Sequence, residues 1–134
     1  MFTPGWKPRR TIKFCSWAAE EAGLIGSNEW VEDNIKLLQE RAVAYINMDM
    51  LVHGNYSFKG KGNPMLRDLV FSQTKLVHVP YGPGNTIYSI WNNRTPSSND
   101  SSIPDFVTPG GSTDYQPFYE QAGKPFKTIQ TGFQ

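Results

Sequence analysis

The feature that most constrains this chain is the run Ala42-Val43-Ala44-Tyr45-Ile46-Asn47-Met48, largely apolar and stopping at Asp49. A strand buried on both faces reads this way, which predicts a parallel sheet covered by helices. Upstream, Thr11-Ile12-Lys13-Phe14-Cys15-Ser16-Trp17 alternates and then turns apolar, predicting another strand. Ala18-Ala19-Glu20-Glu21-Ala22-Gly23 follows as a loop, with Gly23 and Gly26 as breakers. Ser27 is then read as an N-cap, with Glu29, Glu32 and Asp33 loading the first turns of a helix. Trp30, Val31, Ile35, Leu37 and Leu38 give that helix an apolar face through about Arg41. Strand, loop, helix and strand make a βαβ unit, so the expected fold class is α/β. In open α/β sheets functional groups collect at the carboxyl ends of strands. Glu20-Glu21 follows the first strand and Asp49 ends the second. Neighbouring strands lie roughly 5 Å apart, so these carboxylates are expected to converge.

The rest of the chain adds smaller elements. Tyr56 to Lys59 reads as a short strand, and Pro64 opens a helix with Leu66, Leu69, Val70 and Leu76 facing inward. Between 79 and 111 the composition shifts to Pro, Gly, Asn and Ser, predicting a long loop with one helical turn near 87–91. A short helix is expected over 114–122 and a last strand over 126–129. At 134 residues the chain is one domain's worth or less. It divides into a core at 10–60, the loop at 79–111 and a helix–strand end at 112–130.

Charge narrows the partners. The 13 basic and 12 acidic residues nearly cancel, whereas a nucleic-acid partner calls for a clustered basic surface. The basic run Lys7-Pro8-Arg9-Arg10 is short and broken by proline, and reads as a solvated strand entry. Cys15 is the single cysteine, so no internal disulfide forms, and its apolar surroundings predict a buried small hydrophobe. Residues 1–6 have no apolar core of a signal peptide, and no run is long enough to span a bilayer. Three glycosylation sequons, at Asn55, Asn93 and Asn99, nonetheless lean toward the secretory pathway.

Paired carboxylates repel, and a fold tolerates them at a strand end most easily when a cation or solvent relieves the repulsion. One of two neighbours on an irregular turn can ligate a metal while the other reaches a water, the division a zinc hydrolase needs. The bland alternative is a pair of solvated loop residues.

Residues 5 to about 60 resemble the glutamate carboxypeptidase II (N-acetylated alpha-linked acidic dipeptidase) group of zinc-dependent exopeptidases. The stretches that carry the resemblance are Gly5 to Ile12, Ser16-Trp17-Ala18-Ala19-Glu20-Glu21-Ala22-Gly23-Leu24-Ile25-Gly26-Ser27, Glu29-Trp30, Leu37 to Arg41 and Ala44-Tyr45-Ile46-Asn47-Met48-Asp49. It is looser beyond residue 60 and returns over 110–123. The resemblance implies part of a three-layer α/β peptidase domain with a mostly parallel central sheet, hydrolysing peptide bonds near a substrate terminus. It implies Glu20 as general base, Glu21 as ligand of one zinc and Asp49 of the other, in a site of two zincs. Glu29 and Glu32 fall at calcium-binding positions, and their i, i+3 spacing puts both on one helix face. Lys59 fills one position of the family's basic substrate patch, but Thr128 and Gln130 stand at the others, so acidic-peptide specificity is not implied. Ala18 stands where an aspartate is usual. His53 and His78 match no ligand position, so the histidine and aspartate donors the family supplies are not found in this chain. The parent implied is a membrane-anchored or secreted extracellular glycoprotein that acts on peptides, with a homodimer as its assembly. The rival readings are a transferrin-receptor-like binding ectodomain that has lost its zinc site, and an inactive fragment of the enzyme.

Overall fold

The computed structural model describes residues 5–49, 54, 57–80, 82, 84–108, 110, 113–124 and 126–132, the last segment by its backbone. The elements in chain order are α1 (Ile25–Asp33), α2 (Ile35–Arg41), β1 (Tyr45–Asn47), β2 (Ser57–Gly62), a 3-10 turn (Pro64–Leu66), α3 (Arg67–Thr74), α4 (Ile87–Arg94), β3 (Phe106–Val107), α5 (Gln116–Glu120) and β4 (Phe126–Gly132). The strands form one sheet in the order β1-β4-β2-β3. β1 pairs with β4 and β2 with β3 in parallel, while β2 and β4 run antiparallel. The expected α/β class with a mostly parallel sheet is what the chain forms.

Register decides which side of the sheet each helix covers. Asn47 pairs with Thr128, Thr128 with Lys61, and Lys61 with Val107, so these four positions share one face. Ile46, Lys127 and Gly62 line the other. Side chains alternate along a strand, so Tyr45 lies on the Asn47 face and Phe58 and Gly60 on the Gly62 face. Tyr45 packs with Val31, Leu38, Phe118 and Ala122 from α1, α2 and the α5 region. Phe58 and Phe106 pack with Val70, Phe71 and Trp91 from α3 and α4. The two clusters therefore sit on opposite faces of the sheet, giving a helix–sheet–helix sandwich.

Several expectations need correction. Residues 11–17 form no strand; Phe14 is 91% exposed and Cys15 is exposed rather than buried. A strand needs a paired neighbour and a covered face, and among the described residues this segment has no ladder. β1 is an edge strand and not buried on both faces: Ile46 is 56% exposed because the α3–α4 layer covers β2 and β3. The helix at 27–41 is two helices separated by Asn34, whose side-chain amide donates to the Trp30 carbonyl at 2.8 Å. Ser27 is no N-cap, because α1 opens at Ile25. In α3 the buried residues are Val70, Phe71 and Thr74, whereas Leu69 and Leu76 are exposed.

The stretch 79–111 also carries more structure than expected. Thr86 and Ser89 form a capping box that starts α4. One turn later Trp91 is wholly buried. A single large aromatic anchors this otherwise polar stretch, and composition averaged over it hides that contribution.

Candidate functional site

The Glu20-Glu21 loop is built on the first turn of α1. A helix start leaves four backbone N–H groups without partners inside the helix. Here Gly26 N–H donates to the Ala18 carbonyl at 3.0 Å and Ile25 N–H to the Ala19 carbonyl at 3.2 Å. Leu24 and Gly23 N–H groups donate to the Glu20 carbonyl at 2.9 and 3.0 Å. The loop backbone thus replaces a side-chain cap. Closing it requires left-handed backbone at two residues with side chains, Ala19 (φ 56°) and Leu24 (φ 59°). Such strain persists only where surrounding bonds over-determine it, and it clusters at functional sites.

Glu20 is half-buried, Glu21 exposed and Asp49 half-buried, just past the end of β1. Loss of solvent around Glu20, then the negative charges of Glu21, Asp49 and Asp114, push its carboxyl above the ordinary value. Glu21 and Asp49 thus both act electrostatically on Glu20, although the strand expected before Glu20 is absent. An acidic group the sequence reading missed, Asp114, joins them.

Asp114 is held by a buried hydroxyl. Ser27 Oγ–H donates to Asp114 Oδ1 at 2.6 Å, and Ser27 is fully buried in the first turn of α1. Next to Asp114, Thr113 Oγ1 accepts from Asn47 Nδ2 at 3.0 Å; Asn47 ends β1 and is 3% exposed. Beneath the site Trp17 Nε1–H donates to the Tyr45 hydroxyl at 3.0 Å, and Tyr45 stacks on Phe118 at 4.1 Å. Burial pushes the Tyr45 hydroxyl above its ordinary value. The signal for Asp114 was a carboxylate at the start of a predicted helix; its partner Ser27, and Asn47 that bonds the neighbouring Thr113, are distant in sequence and carried none.

The other predicted residues are dispersed. Glu29 and Glu32 are exposed on α1. Lys59 is half-buried on β2 and pairs with Gln130, two positions past the Thr128 level of Asn47. It therefore lies on the Asn47 face, toward the carboxyl end of β1. Asn93 and Asn99 are exposed, and His78 is exposed in an isolated bridge with Thr86. Asn55 and His53 lie outside the described residues.

Carboxylate oxygens are donors that suit a divalent cation chemically. Among the described residues no group of three or more His, Cys, Asp or Glu side chains stands close enough to hold a metal ion.

The family model for peptidase family M28 matches residues 1–133. Aminopeptidase NAALADL1 of Mus musculus is 43% identical over 121 residues, 88% of this chain and 16% of the relative. Probable glutamate carboxypeptidase LAMP1 of Arabidopsis thaliana is 45% identical over 121 residues, covering 90% of this chain and 17% of its own. Glutamate carboxypeptidase 2 homolog of Caenorhabditis elegans is 42% identical over 125 residues, with 90% and 16% covered. The chain spans about one sixth of the length of these relatives.

Proposed function

The chain belongs to peptidase family M28, and from that premise we propose that it carries the acidic half of a zinc exopeptidase site, with Glu20 as general base. The observation that supports this reading is the loop carrying Glu20, closed by backbone bonds on the first turn of α1, where Glu21, Asp49 and Asp114 each act electrostatically on Glu20. Glu21 and Asp49 would each hold one zinc, the remaining donors coming from the rest of the complete protein. Zinc, when bound, supplies positive charge that acidifies water and polarises a carbonyl oxygen.

The protein groups then divide the work. Glu20 accepts the proton of the attacking water and passes it to the leaving amine as the peptide bond breaks. A base needs a proton affinity above that of an ordinary surface carboxylate, and loss of solvent around Glu20, then its negative neighbours, raise it in that direction. Asp49 and Lys59 stand toward the same end of the sheet, which leaves Lys59 able to meet a carboxylate on the substrate. Glu29 and Glu32 offer a pair of oxygens for calcium on the exposed face of α1. The complete protein is proposed to be an extracellular, glycosylated peptidase, working as a homodimer on peptide termini in the manner of a carboxypeptidase or dipeptidase.

The test is Glu20→Gln in the complete protein. The amide keeps the size and loses the base, so metal content should stay constant while turnover falls roughly 10²–10⁴-fold. Unchanged turnover at unchanged metal content removes Glu20 from the mechanism.

A further inference from the structure

The carboxylates proposed as base and zinc ligands come from two separate pieces of chain, and something must set their spacing. Glu20 and Glu21 ride on the first turn of α1, through the hydrogen bonds from Gly26 and Ile25 to the carbonyls of Ala18 and Ala19. Asp49 follows β1, whose last residue is Asn47. No side-chain hydrogen bond among those described joins α1 directly to β1. Both instead bond to the dipeptide Thr113-Asp114, one residue apart: Ser27 of α1 to Asp114 at 2.6 Å, and Asn47 of β1 to Thr113 at 3.0 Å.

We propose that Thr113-Asp114 is a clip that fixes the Glu20-Glu21 loop against the Asp49 end of β1, with Ser27 and Asn47 as its anchors. The four are positioning residues. Both anchors are buried, so neither exchanges its partner for water without cost. The hydroxyl-to-carboxylate bond is short and charge-assisted, the stronger of the two. The dipeptide leads into α5, whose Phe118 packs with Val31 of α1 and stacks on Tyr45 of β1. The clip therefore joins the same elements that the aromatic cluster joins below it, at the level where the carboxylates stand. A misplacement of about 1 Å in a site of this kind costs roughly 10²-fold in rate, so spacing alone gives these polar pairs a functional weight.

The inference rests on the proposed peptidase site, and two kinds of measurement keep the claims separable. Hydrogen exchange on the full chain reads the clip without any reaction. Ser27→Ala and Asp114→Ala should each speed exchange of the Ile25 and Gly26 amides, while Asp114→Asn, which keeps an oxygen acceptor for Ser27, should leave them near wild type. In the complete enzyme Ser27→Ala and Asp114→Ala should each lower kcat by roughly 10²-fold with little change in KM. The double variant should be no worse than either single one, because both break the same bond. Thr113→Val should act on the β1 side alone, adding to Ser27→Ala. The proposal is overturned if Asp114→Asn is as damaging as Asp114→Ala, if the losses in Ser27→Ala and Asp114→Ala sum, or if the Ile25 and Gly26 amides keep wild-type protection. Should Asp114→Ala fail to fold, Ser27→Ala and Asp114→Asn decide the matter alone. If Glu20→Gln retains full turnover, the base assignment fails, and the exchange data still decide the clip.

Discussion

At Gly26 the backbone of α1 passes so close to the Glu20-Glu21 loop that a side chain has no room. A Cβ there would lie 2.8 Å from the Ala18 carbonyl oxygen and 2.9 Å from its nitrogen. Both are backbone atoms, and the Ala18 carbonyl is the acceptor for Gly26's own N–H. Relief requires moving the segment that leads into Ala19, already held at φ 56°. Gly26→Ala is therefore expected to destabilise the chain by about 1–3 kcal/mol, the range for overpacking a tight contact. Urea unfolding measures it. A variant as stable as the wild type would mean that the loop shifts freely and does not depend on this contact. The glycine was legible in the sequence as a breaker, but its reason was not. It sits inside the first turn of α1, and its absent side chain makes way for residue 18.

Among the elements, β2 and α4 depend on each other most visibly. Trp91 is wholly buried between Phe58 at 4.9 Å and Phe71 at 5.6 Å. Its ring presses on the backbone of Gly60, where an added Cβ would meet Trp91 Cη2 at 2.6 Å and Phe106 at 3.3 Å. A glycine within a strand costs chain entropy and offers no side chain to pack; here it opens the space that the indole fills. Trp91→Ala should cost about 3–5 kcal/mol. Gly60→Ala should cost about 1–3 kcal/mol by overpacking. In the double variant the new methyl fills part of the void, so the combined loss should be smaller than the sum. Additive losses in chemical denaturation would show that Trp91 and Gly60 do not share one packing contact. The capping box Thr86-Ser89 that starts α4 follows a rule readable from sequence. The burial of Trp91 does not, because it depends on β2 and α3 arriving on either side.

For the molecule as a whole, the two described sequons differ in setting although both asparagines are exposed. Asn93 lies in the last turn of α4, and the hydroxyl of its sequon partner Thr95 donates to the Trp91 carbonyl at 3.2 Å. Asn99 lies in the segment 97–102, where Asp100 accepts from Ser102 N–H at 2.9 Å and from its hydroxyl at 2.6 Å. Those bonds hold Asp100 below the usual carboxylate range. Exposed loop backbone accepts bulky modification more readily than a helix end. Expression of the complete protein in a secretory host should give a glycosidase-sensitive mass shift that Asn99→Gln reduces more than Asn93→Gln. A protein secreted with no shift in either variant or in the wild type would remove the glycoprotein assignment, and with it the main support for an extracellular location.

The sequence by itself determined the α/β class, the loop that carries Glu20 and Glu21, and the place of Asp49 after a strand. Local rules suffice there: glycines break the chain, an apolar run makes a strand, and a charge ends it. It overstated the strand at 11–17 and the burial of β1, because apolar residues predict burial only when a neighbour covers them. Phe14 and Ile46 find no cover among the described residues. Only the tertiary structure decided that Asp114 belongs with the other carboxylates, 87 residues from its partner Ser27. It also decided that Ser27 serves as a buried donor instead of an N-cap. Each of those facts depends on which elements meet across the sheet, and no local pattern of residues encodes a meeting between segments so far apart in the chain.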